Sequence, residues 1–128
     1  QLGIVDKLLE TLDNSGFHGK VYVTSELHPV IKEIKDLRKD IITIASINIL
    51  PVNIIDVASK AKADMVSMHL SLLNKEIIDN LHDHGFKVLT WTINDEKQAI
   101  QYLEMGVDGI VTDRPDKMLS LIKKIKKL

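Results

Sequence analysis

Three side chains that could contact a ligand stand at or just after the ends of apolar, strand-like runs. Ser25 follows the first run and His69 follows the third, while Trp91, the only tryptophan, lies near the end of the fourth. The carboxyl ends of parallel strands meet at one rim of a sheet, and in parallel α/β folds that rim is where ligands bind. These three residues are therefore candidates for a ligand site.

Two of the candidates also have a purely structural interpretation. Trp91 is flanked by threonines, and on the residues alone an indole there fits a core position as well as a binding site. His69 could bind a ligand or act as an acid, but a lone loop histidine is commonly just solvated. His82 and His84 stand two apart on a predicted helix, so they do not share a helical face and a metal pair is not expected.

The elements that must position these residues alternate regularly along the chain. Apolar runs predict strands at residues 20–24, 41–45, 64–68, 87–92 and 109–112. Their centres lie about 21 to 23 residues apart, which leaves room for one helix in each gap, as parallel βα units require. Helical periodicity predicts helices at residues 2–16, 29–37, 54–62, 75–84, 96–105 and 115–127. Asn74, Asp95 and Asp113 are the predicted N-caps, and Gly106 and Gly109 are predicted to serve helix ending and close strand packing.

This order of elements predicts one domain over residues 1–128, with two possible architectures. One is the last five βα units of an eight-stranded (β/α)8 barrel of the TIM type, which is a partial barrel. The other is an open parallel α/β sheet with helices on both faces. The residues alone do not separate the two.

Composition excludes several classes of protein. The 128 residues are 45% hydrophobic and 27% charged, with a formal net charge of −1, so we expect a globular domain without nucleic-acid partners. There is no cysteine and no apolar run of about 20 residues that could span a membrane. The chain begins with Gln1 rather than methionine, which predicts a processed chain or a piece of a larger protein. Contact with anionic lipid through Lys123, Lys124, Lys126 and Lys127 stays open, as does a cytoplasmic or membrane-associated location.

Two motifs carry a resemblance to a known family. Trp91-Thr92-Ile93-Asn94 is followed by Gly106-Val107-Asp108-Gly109-Ile110-Val111-Thr112-Asp113-Arg114-Pro115. In their order and spacing they resemble the C-terminal signature of the glycerophosphodiester phosphodiesterases, with the remaining pattern similar to the membrane-associated bacterial branch. That family is built on the (β/α)8 barrel, so the resemblance favours the partial barrel. The family's domain is about twice this length, so the match would be to its second half.

The resemblance also implies a reaction, a cofactor and site residues. The family hydrolyses glycerophosphodiesters to glycerol 3-phosphate and an alcohol with a divalent metal, calcium or magnesium. Trp91 would line the substrate pocket with Ser25 and His69, although Glu26 and Leu27 stand where the family has an aromatic residue after the serine. The family's His-Arg-Gly and His-Asp motifs, and its Glu-x-Asp and Glu-x-Lys motifs at early strand ends, are expected to precede Gln1 and so to be absent from this chain. We therefore expect a phosphodiesterase as the parent enzyme, but no catalytic residue, no metal ligand and no activity in this chain alone.

The alternative function is a non-catalytic half-barrel that binds or assembles. Five strands of a barrel cannot close by themselves, and they leave two unpaired edges. We therefore expect a homodimer or a larger closed oligomer that covers the inward-facing side chains. The predicted inward-facing residues are Val21, Val23, Ile42, Ile44, Val66, Val88 and Ile110.

Overall fold

Helices and parallel strands alternate throughout the computed structural model, which describes residues 3–126. In chain order the elements are α1 (Ile4–Ser15), β1 (Tyr22–Ser25), α2 (His28–Leu37), β2 (Ile42–Ile47), α3 (Ile54–Lys60), β3 (Met65–His69), α4 (Lys75–Asp83), β4 (Lys87–Trp91), α5 (Glu96–Met105), β5 (Gly109–Val111) and α6 (Pro115–Lys126). A single 3₁₀ turn, Leu70–Leu72, lies between β3 and α4. The predicted elements are all present, and the predicted helix ends at Leu2 and Lys127 lie outside the described residues.

The strands form one parallel sheet in the order β1-β2-β3-β4-β5, so each strand pairs with the next one along the chain. An open doubly wound sheet reverses its strand order part-way and places helices on both faces. Here the order never reverses, and α3 to α6 all contribute to one buried cluster with strand residues such as Val66 and Val88. The structure is therefore a half-barrel of five consecutive βα units, and the open sheet is excluded.

Strand alternation gives this half-barrel two different faces. On the outer face, under the helices, Met68, Val88 and Thr90 are completely buried. The inner face is the one that a closed barrel would enclose, and most of its side chains are only partly covered: Tyr22 is 51% exposed and Val111 46% exposed, although Ile44 and Ser67 are buried. The register assigns to the inner face Tyr22, Thr24, Ile42, Ile44, Ser46, Met65, Ser67, His69, Lys87, Leu89, Trp91, Gly109 and Val111.

The predicted set of inward-facing residues is largely wrong. Ile42 and Ile44 do lie on the inner face. The other strand residues of the set, Val23, Val66, Val88 and Ile110, lie on the outer face and pack against helices, while Val21 precedes β1 and packs with α1 and α2. A shift of one residue moves a side chain to the opposite face of a strand. Because these runs are apolar on both faces, the sequence does not reveal which face is inward.

Two aspartates fix the register at the end of the sheet where strands begin. Asp64 precedes β3, and its Oδ2 accepts from the Thr43 backbone N–H at 2.8 Å and from Lys35 Nζ at 2.7 Å. Asp108 precedes β5 and does the same for the Val88 backbone N–H at 2.7 Å. Each carboxylate accepts from a backbone N–H near the start of the preceding strand, an amide that would otherwise lack a partner. Both aspartates therefore connect one strand to the next.

The glycines of the Gly-x-Asp-Gly motif have the predicted structural roles. Gly106 ends α5 in the left-handed region, with φ +106°. Gly109 lies so close to β4 that an added Cβ would stand 2.7 Å from Leu89 Cδ2. Together with Asp108, these glycines place β5 against β4, which means that much of this motif serves packing.

Two of the three predicted N-caps are confirmed. Asn74 accepts from the Ile77 N–H at 2.9 Å, and Asp95 accepts from the Gln98 N–H at 2.9 Å. Asp113 does not cap α6, because its carboxylate accepts instead from the side-chain amide of Asn94. This hydrogen bond therefore connects the loop after β4 to the loop after β5, and it does not cap a helix.

Candidate functional site

Trp91 and His69 form the centre of the candidate site. They end β4 and β3, are register partners, and both point to the inner face. Their rings meet edge to face, with centroids 4.9 Å apart and an interplanar angle of 81°, an arrangement that aromatic rings favour. Both side chains are half-buried. We use "rim" for the end of the sheet where the strands finish, and this pair occupies the inner face of the rim.

The imidazole of His69 is held from behind by Ser71. The Ser71 backbone N–H donates to His69 Nδ1 at 3.1 Å, and the Ser71 Oγ lies 2.7 Å from the same nitrogen. A backbone amide can only donate, so Nδ1 is the acceptor and the ring proton of the neutral imidazole resides on Nε2. Within residues 3–126, Nε2 has no hydrogen-bond partner.

Asn94 joins the loop after β4 to the loop after β5. Its Oδ1 accepts from Thr112 Oγ1 and from the Asp113 backbone N–H, both at 2.9 Å, and its Nδ2 donates to the Asp113 carboxylate at 3.0 Å. Lys117 Nζ donates to the Asn94 carbonyl oxygen at 3.1 Å. The peptide bond between Trp91 and Thr92, in the same loop, is cis. The hydrogen bonds of Asn94 fix the backbone of the loop that follows Trp91.

Ser25 is not brought next to the other two candidates. It ends β1, two strands away from β3, and alternation places it on the outer face. Its Oγ accepts from the Leu27 backbone N–H at 3.0 Å and so forms a local turn. The hydroxyl hydrogen is still able to donate, so a substrate contact by Ser25 stays a prediction.

Glu26 occupies the next position along this rim. Its carboxylate accepts from the side-chain amide of Asn48 in the loop after β2. Both residues line a cleft of about 390 Å³ whose other walls include Ile49 and Pro51. The departure at Glu26 therefore replaces an aromatic side chain with a charged one on the wall of this cleft.

Sequence reasoning missed Ser71 and Asn94, which position the two central rings. A signal existed for each. Ser71 stands two residues after His69, the spacing at which a backbone amide can turn back to a preceding side chain. Asn94 closes the Trp-Thr-Ile-Asn motif, but its partners lie in another loop and could not be chosen from the sequence.

A family model agrees with these features. The model for the "Glycerophosphoryl diester phosphodiesterase family" matches residues 3–117. The chain belongs to that family.

Similar proteins within the family extend well beyond this chain. It is 24% identical over 126 residues to a glycerophosphodiester phosphodiesterase of Caldanaerobacter subterraneus subsp. tengcongensis, covering 95% of this chain and 50% of that protein. It is 37% identical over 54 residues to one from Bacillus altitudinis, covering 42% and 22%. An Oleispira antarctica phosphodiesterase, solved in complex with the product sn-glycerol 3-phosphate, has the same fold over 93% of this chain and 49% of its own, with a TM-score of 0.85 and 22% identity. The chain spans at most about half the length of these relatives.

Two of the catalytic motifs that we expected to be absent do occur as sequence patterns, but both lie in helices. Glu33-Ile34-Lys35 has the Glu-x-Lys pattern but lies within α2, and His82-Asp83 has the His-Asp pattern but ends α4. His82 Nε2 lies 2.7 Å from Asp108 Oδ2, at the opposite end of the sheet from the rim. Neither pair stands at a strand end, so neither can face a ligand bound at the rim.

The part of the chain that the structure describes does not fit the divalent metal of the family. Residues 3–126 contain no group of three or more histidine, cysteine, aspartate or glutamate side chains that could hold a metal ion. Calcium and magnesium require several oxygen ligands around one point. Within the described residues, the side chains at this rim therefore do not form a metal centre.

Arg114, the cation within the Thr-Asp-Arg-Pro motif, is already paired. Its guanidinium donates to Asp116 at 3.2 and 3.3 Å. The hydrogen bond to Asp116 raises the pKa of Arg114, and the same bond lowers the pKa of Asp116. Both side chains are largely exposed, so solvent screens this pair.

No helix within residues 3–126 is both long enough and apolar enough to cross a membrane. Of the four lysines considered for lipid contact, Lys127 lies outside the described residues. Lys123, Lys124 and Lys126 are exposed near the end of α6, where they complement the negative end of the helix dipole.

Proposed function

We propose that this chain provides the substrate-lining side of an enzyme that hydrolyses glycerophosphodiesters to glycerol 3-phosphate and an alcohol. The observation that supports this most is the pairing of Trp91 with His69 on the inner face of the rim. Family membership supplies the reaction class, and the paired rings supply a place for a small polar ligand. Such a site needs apolar surface together with a few fixed polar groups, and the two rings offer both.

The proposed role of this chain is binding and orientation. The indole of Trp91 offers a flat apolar surface against which the carbon chain of a glycerol unit can pack. His69 offers a hydrogen-bond donor beside it, and Asn94 keeps the loop after Trp91 in place. The divalent cation that the family resemblance implies, calcium or magnesium, has no ligand set in residues 3–126, so no chemical step is assigned to these residues.

Titration with sn-glycerol 3-phosphate and with a glycerophosphodiester tests this proposal. Trp91 is the only tryptophan, so its fluorescence reports directly on the candidate site. Amide resonances at the ends of β3 and β4 should shift together with it. We expect Trp91→Ala to weaken binding at least tenfold, while Trp91→Phe retains most of it.

The matched control is Tyr22→Ala, since Tyr22 is an aromatic residue on the same inner face but at the beginning of its strand. Tyr22→Ala should leave binding unchanged. The free energy of unfolding is measured for every variant, because a half-buried indole also contributes to folding. If Trp91→Ala abolishes cooperative unfolding but the folded fraction still binds normally, Trp91 is a core residue and the proposal fails.

We also propose assembly as a second role of the isolated chain, because the inner face and two strand edges are uncovered. Within residues 3–126, β1 pairs only with β2 and β5 pairs only with β4. Unpaired edges and a partly apolar face attract a partner. The partner we propose is a second copy, since a two-fold arrangement uses the same surface on both chains.

A further inference from the structure

We infer that His69 recognises the phosphoryl group, through a hydrogen bond from Nε2–H to a phosphoryl oxygen, and that Ser71 is the positioning residue that makes this possible. This inference rests on the proposed function and adds to it a specific atom, a tautomer and a second residue. It is carried by three observations: the contacts of Ser71 with Nδ1, the contact of the imidazole with Trp91, and the free Nε2.

The contacts of Ser71 determine which nitrogen carries the proton. Nδ1 accepts from a backbone N–H at 3.1 Å, so it cannot itself be protonated while this bond exists. The Ser71 hydroxyl, 2.7 Å away, must then donate to the same nitrogen. Both contacts favour the neutral tautomer with its hydrogen on Nε2. They make the imidazole a donor at its outer nitrogen.

The contact with Trp91 determines where that donor lies. His69 and Trp91 are register partners on adjacent strands, so both side chains leave the sheet on the inner face. The edge-to-face contact at 4.9 Å restricts rotation of the imidazole about its own bonds. With Nδ1 bound by Ser71, Nε2–H is the donor that this imidazole, in contact with Trp91, can offer to a ligand. In this proposal a ligand that packs its glycerol unit near Trp91 brings its phosphate to that hydrogen.

The two nearby cations, Arg114 in the loop after β5 and Lys117 in the first turn of α6, already have partners. Arg114 is bound to Asp116, and Lys117 donates to the Asn94 carbonyl oxygen. The imidazole N–H has no such partner in the described part of the chain. A positioned neutral donor that is already oriented loses little conformational entropy when it binds an oxyanion. The geometry therefore assigns phosphoryl recognition to His69.

The first test is spectroscopic and uses the 128-residue chain as it exists. Long-range 1H–15N correlation spectra at pH 8 report the protonation of each imidazole nitrogen. We expect only the Nε2–H tautomer for His69, and we expect the Nε2 resonance to shift when sn-glycerol 3-phosphate is added. A proton found on Nδ1 would overturn the inference.

The second test uses two substitutions that place an amide N–H at different points. His69→Gln puts an N–H close to the position of Nε2, while His69→Asn puts one close to the position of Nδ1. We expect His69→Gln to bind sn-glycerol 3-phosphate within about threefold of the unmodified chain, and His69→Asn and His69→Ala to bind roughly 10- to 100-fold more weakly, the effect of losing a strong hydrogen bond. Binding of glycerol, which lacks the phosphate, should be equal in all of them.

The positioning role of Ser71 is tested by removing its hydroxyl group. Ser71→Ala keeps the backbone N–H but removes the second donor, so we expect about a threefold loss of affinity and a changed Nδ1 resonance, with Ser71→Thr restoring both. The control is His84→Ala, because His84 is an exposed histidine whose Nδ1 bonds to the Asn80 carbonyl oxygen far from the rim. His84→Ala should change neither quantity.

The outcomes separate this inference from the proposed function. If the chain binds sn-glycerol 3-phosphate and Trp91→Ala weakens that binding, but His69→Ala does not, the inference is wrong and the proposed function survives. If the unmodified chain binds neither sn-glycerol 3-phosphate nor a glycerophosphodiester, both are wrong. Loss of binding in His69→Asn with retention in His69→Gln supports both.

Discussion

Asn94 and Asp113 bind each other through two hydrogen bonds of opposite direction. Asn94 Nδ2 donates to the Asp113 carboxylate at 3.0 Å, and the Asp113 backbone N–H donates to Asn94 Oδ1 at 2.9 Å. One residue closes the Trp-Thr-Ile-Asn motif and the other belongs to the Thr-Asp-Arg-Pro motif. The two halves of the family signature, nearly twenty residues apart in the chain, are therefore in direct contact. This part of the signature holds two rim loops together beside Trp91.

We predict that Asn94→Ala destabilises the chain by about 1–2 kcal/mol. Three side-chain hydrogen bonds are lost, and at this exposed position water can partly replace them. Urea denaturation followed by the fluorescence of Trp91 measures this. The matched control is Asn80→Ala at an exposed position of α4, where the side-chain amide has no hydrogen bond within residues 3–126; it should change stability by less than about 0.5 kcal/mol. Equal effects of the two substitutions would show that the loop contact contributes nothing.

The pH dependence of stability should include a contribution from Asp64. Partial burial is the largest single influence on the pKa of Asp64 and raises it, but the ammonium of Lys35 and the N–H and hydroxyl of Thr43 together outweigh burial, so the pKa is lowered. The ordinary aspartate pKa in the unfolded chain is about 3.9. At pH values between this and the lowered pKa of the folded chain, the unfolded chain binds more protons than the folded chain. The stabilisation is therefore complete above about pH 4 and is lost as the pH falls through the lowered value.

Asp64→Asn removes this contribution. At pH 7 we expect a loss of about 1 kcal/mol or less, since the carboxylate is 44% exposed and solvent screens the pair. The difference from the unmodified chain should shrink as the pH is lowered below about 4. Asp83→Asn, at an exposed position outside the ion pairs of residues 3–126, removes the same charge and is the control at pH 7. A difference that grows toward low pH would contradict the prediction.

We predict that the purified 128-residue chain does not hydrolyse glycerophosphodiesters with calcium, with magnesium or without added metal. The reason is that residues 3–126 offer no group of side chains to hold a metal ion, and the family's histidine and carboxylate motifs do not stand at its strand ends. Release of glycerol 3-phosphate measures turnover. Activity above a mock preparation that is also reduced by Trp91→Ala would contradict the prediction, because a contaminating enzyme would be insensitive to that substitution.

The isolated chain should form a homodimer or a larger closed oligomer. Inner-face side chains such as Ile42, Met65, Leu89 and Val111 are left partly uncovered. Each would contribute a part of the about 1.5–3 kcal/mol that complete burial of an exposed large apolar side chain provides. Sedimentation at micromolar concentration measures the assembly state. Val111→Lys and Leu89→Lys, both on the inner face, should shift the chain toward monomer.

Leu119→Lys is the control for assembly, since Leu119 is 57% exposed on α6, on the helical side of the sheet. It should leave the assembly unchanged. A compact monomer of about 14.4 kDa for the unmodified chain would refute the homodimer.

The order of the elements was available from the sequence. Helical and extended periodicities alternate along the chain, and local signals mark where helices begin and end. Asn74 and Asp95 cap helices because an N-cap depends on an amide only three residues away. The two motifs are also patterns within short segments of the chain, and they identified the family. The position of Trp91 at the end of a predicted strand placed it at the rim.

The sequence by itself therefore determined which segments are strands, their alternation with helices, and the family. Only the tertiary structure decided that Val66 and Val88 face the helices, because both strands carry apolar residues on each face, so the sequence pattern does not reveal the inward one. It also decided that Ser71 and Trp91 hold His69, that Ser25 forms a local turn, and that Asp113 binds Asn94 and does not cap α6. Register and hydrogen-bond choice between distant segments depend on how the whole sheet packs, whereas local signals depend on neighbours a few residues away.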